Sequence, residues 1–148
     1  MFDPVLLANV TKPESWTLAS YQASGGYRAW RTVLAEYKPA DVIGQIKASN
    51  LRGRGGAGFP TGLKWSFIPQ DSPKPRYLCC NADESEPGTF KDKLIMEADP
   101  HQLLEGIAIG CYAIGAHRAY IYVRYEYCDA IKRLQQAITE AEEANLFG

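Results

Sequence analysis

The sequence predicts an α/β fold in which a helical N-terminal region precedes an incomplete parallel βαβα unit. Two runs of β-formers point to it, RYLCCN from Arg76 to Asn81 and AYIYVRY from Ala119 to Tyr125. Each run is followed by a stretch whose apolar residues recur at helical spacing. A strand, a helix and a second strand in that order require parallel pairing and a right-handed crossover. Two strands alone leave a parallel sheet poorly covered, and no third strand precedes Gly148. The chain therefore reads as an interrupted domain, with residues 1–40 as an arm and helix and 41–148 as the first part of the α/β unit.

Residues 1–26 carry Pro4, Pro13, Gly25 and Gly26 with weak periodicity, which predicts an extended arm with a short turn. From Tyr27 to Lys38, Ala29, Trp30, Val33, Leu34 and Tyr37 form one helical stripe that Pro39 ends. A short helix follows over 41–49 with Val42, Ile43 and Ile46 inward. LRGRGGAGFPTG then places five glycines in the ten residues from Gly53 to Gly62, a density that only a loop tolerates. Leu63 to Ile68 predicts a helical turn, and Pro69, Pro73 and Pro75 a surface connection. Arg76 to Asn81 reads as a buried strand that delivers ADESEPGTF, residues 82–90, as a loop at its carboxyl end. Leu94, Leu103, Leu104, Ile107, Ala108, Cys111 and Ile114 mark helical faces broken at Pro100. Gly106, Gly110 and Gly115 suit close packing on the sheet. Residues 126–145 form the last amphipathic helix.

Composition excludes several classes. At 46% apolar and 22% charged, the 148 residues are ordinary for a globular chain. No apolar run approaches the ~18 residues that span a bilayer, and MFDPVLLANV lacks the basic leader of a secretory signal. Cys79, Cys80, Cys111 and Cys128 show no CxxC spacing, so a cytosolic chain is expected, with Cys79 and Cys80 in the core. The net charge of -1 hides a basic stretch from Arg28 to Arg76, net +6, and an acidic one from Asp83 to Glu105, net -5. Bulk nucleic-acid binding is disfavoured without an excess positive field.

Gly53, Gly55 and Gly58 satisfy G-x-G-x-x-G, yet a helix precedes the loop and Phe59-Pro60 follows it, so the Rossmann context fails. The Walker pattern fails too. Successive glycine N–H groups beside Arg52, Arg54 and Lys64 suit a phosphate, and Phe59, Trp65 and Phe67 suit a planar ring. A plain glycine-rich turn with core aromatics is the alternative. In the second loop, Asn81, Asp83, Glu84, Ser85 and Glu86 suit hydrogen bonds to a heterocycle or ribose; a solvated turn capping the next helix is equally compatible. The acids lack EF-hand spacing for Mg²⁺ or Ca²⁺. His101 and His117 read as helix-end residues rather than catalysts, and no nucleophile triad is legible.

Together, LRGRGGAGFPTGLKWSF (Leu51–Phe67) and CNADESEPGTFKDK (Cys80–Lys93) are far more specific than either loop alone. They resemble the complex I family of flavin- and NADH-binding proteins, the F or 51 kDa subunits of NADH-quinone oxidoreductase. PESW, GGY and YIYVRYEY fit as well, so the resemblance spans nearly the whole chain and the first third of a family member. The same module occurs in NAD-reducing hydrogenases and NAD-linked formate dehydrogenases. The related component of Rnf-type reductases shares a loop ending Gly-Phe-Pro-Thr, but Arg54 and the full NADESEPGTFKD run favour the complex I type.

The resemblance implies an NADH dehydrogenase flavoprotein of the respiratory chain, binding FMN and NAD(H). Gly53, Arg54, Gly55, Gly56 and Lys64 would line the FMN phosphate and ribityl chain, and Asn81, Asp83, Glu84 and Ser85 its ring and ribityl groups. Phe59 and Phe67 would stack on the adenine of NADH, with Glu86 beside the dinucleotide. Hydride passes to the flavin and electrons onward to iron–sulfur clusters, so the protein supplies position and electrostatics. Implied partners are a thioredoxin-like 2Fe-2S subunit and other peripheral-arm subunits, cytoplasmic and peripheral to the inner membrane. Nucleic acid and direct membrane contact are not implied. The family's Gly-Glu-Glu loop and the cysteine ligands of its 4Fe-4S cluster are absent from these residues, and a non-catalytic nucleotide-binding remnant remains a second reading. The chain alone is expected to bind flavin weakly or not at all; stoichiometric flavin absorbance in the purified chain is the result that would refute this.

Overall fold

The computed structural model describes residues 4–69 and 71–147. The start of the arm, residues 1–3, and Gly148 lie outside them. Among the described residues nine elements follow in order: α1 (Leu18–Ala23), α2 (Arg28–Glu36), α3 (Pro39–Ala48), α4 (Thr61–Trp65), β1 (Tyr77–Ala82), α5 (Lys91–Ala98), α6 (Pro100–Ile114), β2 (Arg118–Val123) and α7 (Cys128–Glu143).

The βαβα unit is present as the apolar pattern predicts. β1 and β2 pair in parallel, from Tyr77 opposite Arg118 to Ala82 opposite Val123. Side chains on a strand alternate between faces, and here only one face is covered. Leu78, Cys80 and Ala82 turn with Ala119, Ile121 and Val123 toward the helices. Tyr77, Cys79, Asn81, Arg118, Tyr120 and Tyr122 face outward and are exposed. β1 is thus half-buried rather than buried. Cys79, expected in the core, lies on the open face because it falls on the odd positions of the strand; Cys80 is partly buried.

Under the covered face, Ala82, Met96, Ala130 and Leu134 form the core, with Leu103, Ile121, Val123 and Tyr127 packed against it. α5 and α6 are separate helices because Pro100 opens α6 at its first turn, the place where a missing N–H costs nothing. Gly110 is a point of close approach between α6 and β1. A Cβ there would lie 2.9 Å from Leu78 Cδ1 and 3.4 Å from the Trp65 ring.

The arm holds a helix that the sequence pattern does not reveal. α1 is six residues long, with Thr17 Oγ1 accepting from Ser20 N–H at its start. Two acids from distant helices secure it and α2. Glu140 of α7 accepts from Leu18 N–H at 2.7 Å. Glu105 of α6 accepts from Tyr27 N–H and Trp30 N–H, both at 2.9 Å, and from Tyr21 Oη at 2.5 Å. Tyr27 precedes α2 in a left-handed conformation (φ 60°) with no side-chain cap of its own, so Glu105 does that work from across the fold.

His101 is a helix-end residue as expected, the second of α6, and it sits beneath this arm, 0% exposed. Its Nε2 lies 3.1 Å from Glu140 Oε2 and its Nδ1 3.0 Å from Tyr27 Oη. A carboxylate only accepts, so Nε2 donates and Nδ1 accepts from the tyrosine. Burial pushes the imidazole below its usual range, against the opposing pull of Glu140, and keeps it neutral. Glu105→Ala removes the acceptor for three buried or half-buried donors and is expected to destabilise the chain by about 2–4 kcal/mol in urea unfolding. Glu105→Gln, which retains one acceptor oxygen, should lose less; a change in Glu105→Ala within about 0.5 kcal/mol would show the arm is held elsewhere.

Candidate functional site

Two loops carry the residues singled out above. The glycine loop leaves α3 and enters α4. Arg52 bridges Pro60 across its neck, Gly53 N–H donates to Phe59 O at 2.9 Å, and Thr61 N–H donates to Leu51 O at 2.9 Å. Arg52 also closes the loop from within, its Nη1 donating to Gly58 O at 3.0 Å. Between these ties, the amides of Arg54, Gly55, Gly56, Ala57 and Gly58 have no acceptor among the described residues.

Gly56 (φ 106°) and Gly58 (φ 61°) occupy conformations that favour glycine. Gly55 does not have a positive φ, and a Cβ there would meet nothing within 4 Å. The fold itself supplies no reason for glycine at that position. The open space there leaves the backbone accessible from outside the chain. The side chains agree: Arg54 and Lys64 are exposed and form no ion pair among the described residues. Phe59 and Phe67, 46% and 63% exposed, stand with ring centroids 6.3 Å apart. Trp65 instead turns inward against Gly110, so it belongs to the packing of α4 on α6.

The second loop begins where β1 ends. Asn81 Oδ1 accepts from Asp83 N–H at 3.0 Å, and Ser85 Oγ donates to Asp83 Oδ1 at 2.9 Å. These three side chains and Glu86 are exposed. Glu84 points the other way. Only 6% exposed, it accepts from Asp92 N–H and Lys93 N–H at 3.0 Å each and caps α5, with Lys91 Nζ 3.9 Å away. The resemblance gives Glu84 to the flavin; here both of its carboxylate oxygens are engaged by the helix. The helix-cap reading of this loop describes Glu84, which is buried rather than solvated. Burial pushes the Glu84 carboxyl up, but the two N–H bonds, Lys91 and Tyr127 outweigh it and hold it below the usual range.

The two loops are not joined by any hydrogen bond or ion pair among the described residues. No group of three or more His, Cys, Asp or Glu side chains among the described residues has the arrangement to hold a metal ion. No helix there is long and apolar enough to cross a membrane. Sequence reasoning passed over Arg124 and Tyr127, whose side chains reach the Glu84 carbonyl from the end of β2. Their signal was present only in the parallel pairing, whose last pair, Ala82 opposite Val123, lets the two segments beyond it meet.

Residues 46–147 match the family described as the Nuo51 FMN-binding domain. The chain belongs to this family. The F 2 subunit of NADH-quinone oxidoreductase from Rhizobium meliloti is 62% identical over 148 residues, covering 100% of this chain and 35% of that protein. The F subunit of the Streptomyces coelicolor enzyme is 53% identical, over 98% of this chain and 32% of that protein. The Nuo51-type chain thus spans about a third of the length of these relatives. A crystal structure of an air-oxidised NAD+-reducing NiFe hydrogenase aligns with it at a TM-score of 0.71 and 34% identity, over 96% of this chain and 23% of that one.

In this Nuo51-type domain, the Glu84 latch has a pH signature. A carboxyl held below its ordinary value stabilises the fold fully above that value, 4.5, and the contribution disappears as pH falls through the depressed value. The melting-temperature gap between the parent chain and Glu84→Gln should therefore be wide at neutral pH and close below about 4.5. A gap that does not vary with pH would mean that the ionised carboxylate contributes nothing.

Proposed function

We propose that the chain supplies the FMN-holding loops of an NADH-oxidising flavoprotein of the NADH-quinone oxidoreductase type. The glycine loop carries this reading: bare backbone at Gly55, with no packing or conformational reason within the fold, beside exposed Arg54 and Lys64. That donor set fits a phosphate monoester, and the exposed amide and hydroxyl groups of the second loop fit the polar edge of a flavin. When bound, FMN supplies the redox chemistry, taking a hydride from NADH and releasing electrons singly to iron–sulfur centres.

The chain's own residues bind and orient. Arg54, Gly55, Gly56 and Lys64 hold the phosphate and ribityl chain through N–H groups and positive charge, while Gly53, whose N–H is given to Phe59 O, lines the neck of the loop beside them. Asn81, Asp83 and Ser85 meet the ring and ribityl hydroxyls. Glu84 contributes from behind, by fixing the loop on α5. Phe59 and Phe67 offer their faces to the adenine of NADH, and Glu86 lies beside the dinucleotide. Partners are a thioredoxin-like 2Fe-2S subunit and other peripheral-arm subunits, which tie the protein to the cytoplasmic side of the inner membrane.

A hydrogenase-type flavoprotein is the second reading, since an H2-reduced NAD+-reducing hydrogenase is 41% identical over 74% of this chain. The 62% identity to an NADH-quinone oxidoreductase component favours the quinone-linked type.

Gly55→Val separates ligand approach from packing. Because nothing in the fold surrounds that position, its melting temperature should match that of the parent chain. Its affinity for FMN, read by fluorescence titration into the high micromolar range, should fall about tenfold or more. NADH-dependent ferricyanide reduction with and without added flavin then tests turnover. Of the weak or absent binding expected of the chain alone, this reading requires the weak: absence of saturable FMN binding by the parent chain, or equal binding by Gly55→Val, would sink it.

A further inference from the structure

Arg124 and Tyr127 stand just past the end of β2, and their side chains converge on one atom of the second loop. Arg124 Nη1 and Tyr127 Oη both donate to the backbone carbonyl oxygen of Glu84, at 3.0 and 3.2 Å. That carbonyl lies directly beyond Ala82 opposite Val123, the last pair of the sheet. The remaining guanidinium nitrogens are fixed as well. Nε and Nη2 each donate to the Glu126 carboxylate at 3.1 Å, a forked pair that sets the plane of the group and aims Nη1 at the loop. The Tyr127 ring lies against two cations, Arg124 Cζ and Lys93 Nζ, each 5.4 Å from its centroid. Around this point the loop is open: Asp83, Ser85, Glu86 and Pro87 are all exposed.

We infer that Arg124 and Tyr127 are positioning residues for the flavin, clamping the Glu84 carbonyl so that Asn81, Asp83 and Ser85 stand in their binding arrangement before the flavin arrives. This rests on the FMN reading above. Glu84 is then held at both ends, its carboxylate by the N-terminus of α5 and its carbonyl by the clamp, and the exposed side chains on either side of it inherit that fixity. An ordered loop loses less conformational freedom on binding, so the clamp acts on affinity without touching the ligand.

Hydrogen exchange and flavin titration of the 148-residue chain test this together. Tyr127→Phe keeps the ring and loses only the donor; Arg124→Gln loses the fork. In the absence of flavin, both should speed exchange at the amides of residues 83–86 while leaving exchange in α7 unchanged. Dissociation constants should rise about fivefold for Tyr127→Phe and about tenfold for Arg124→Gln. The clamp is on the ring side, so FMN and riboflavin should lose equally, whereas Arg54→Gln should weaken FMN alone. Unchanged exchange or unchanged affinity in both variants overturns the clamp, as does a loss confined to FMN. A parent chain with no saturable flavin binding overturns the FMN reading itself, a result distinguishable from failure of the clamp because it appears before any substitution is made.

Discussion

Parallel pairing of β1 with β2 is the constraint from which the candidate site follows. Antiparallel strands would send their carboxyl ends to opposite edges, whereas parallel ones must bring both to the same edge. The crossover through α5 and α6 satisfies that geometry, and the register from Tyr77–Arg118 to Ala82–Val123 sets which residues emerge together. Asn81 to Ser85 leave one strand where Arg124 to Tyr127 leave the other. A shift of two residues in this register would keep every side chain on its face and still separate the Glu84 carbonyl from its donors. The core beneath, from Ala82 to Leu134, makes such a shift costly because Ile121 and Val123 already fill defined places in it.

A second regularity concerns the acids. Glu84, Glu105 and Glu140 each accept backbone N–H groups at the start of a helix that is remote from them in sequence or separated by a loop: α5, α2 and α1 respectively. Neither α2 nor α5 has a side-chain cap at its own N-cap residue. A helix start leaves several donors without partners, and a carboxylate satisfies them and the helix dipole at once. The acidic stretch thus divides into two kinds of residue. Buried members hold helices in place, and exposed ones, such as Asp83 and Glu86, remain available to a ligand.

The sequence and the structure agree where the signal is local and differ where it is not. The two strands, the break at Pro100 and the glycine loop are written in short windows of apolar spacing or composition, and all three are present. α1 escaped because six residues with Leu18 and Tyr21 as large apolar side chains cannot display a helical stripe; its stability comes from Glu140 and Glu105, far along the chain. The burial of His101 escaped for the same reason, since its partners Tyr27 and Glu140 flank it only in space. Cys79 and Cys80 could not be told apart until the sheet was known to have one open face. In the candidate site, residue types were legible but directions were not: adjacent Asp83 and Glu84 point to opposite sides of one loop, and Trp65 leaves the company of Phe59 and Phe67 to pack on α6.

The arm's attachments bear on how the chain is made. Leu18 N–H reaches its acceptor 122 residues later, and Tyr27 N–H reaches its own 78 residues later. A ribosome releases the arm long before either acid has been synthesised, so α1 and α2 emerge without their caps. Helices this short do not persist alone in water. The arm therefore leaves the ribosome before its acceptors and is among the last parts to settle, and its docking on α6 and α7 closes loops of 122 and 78 residues after the β1–α6–β2 crossover has formed.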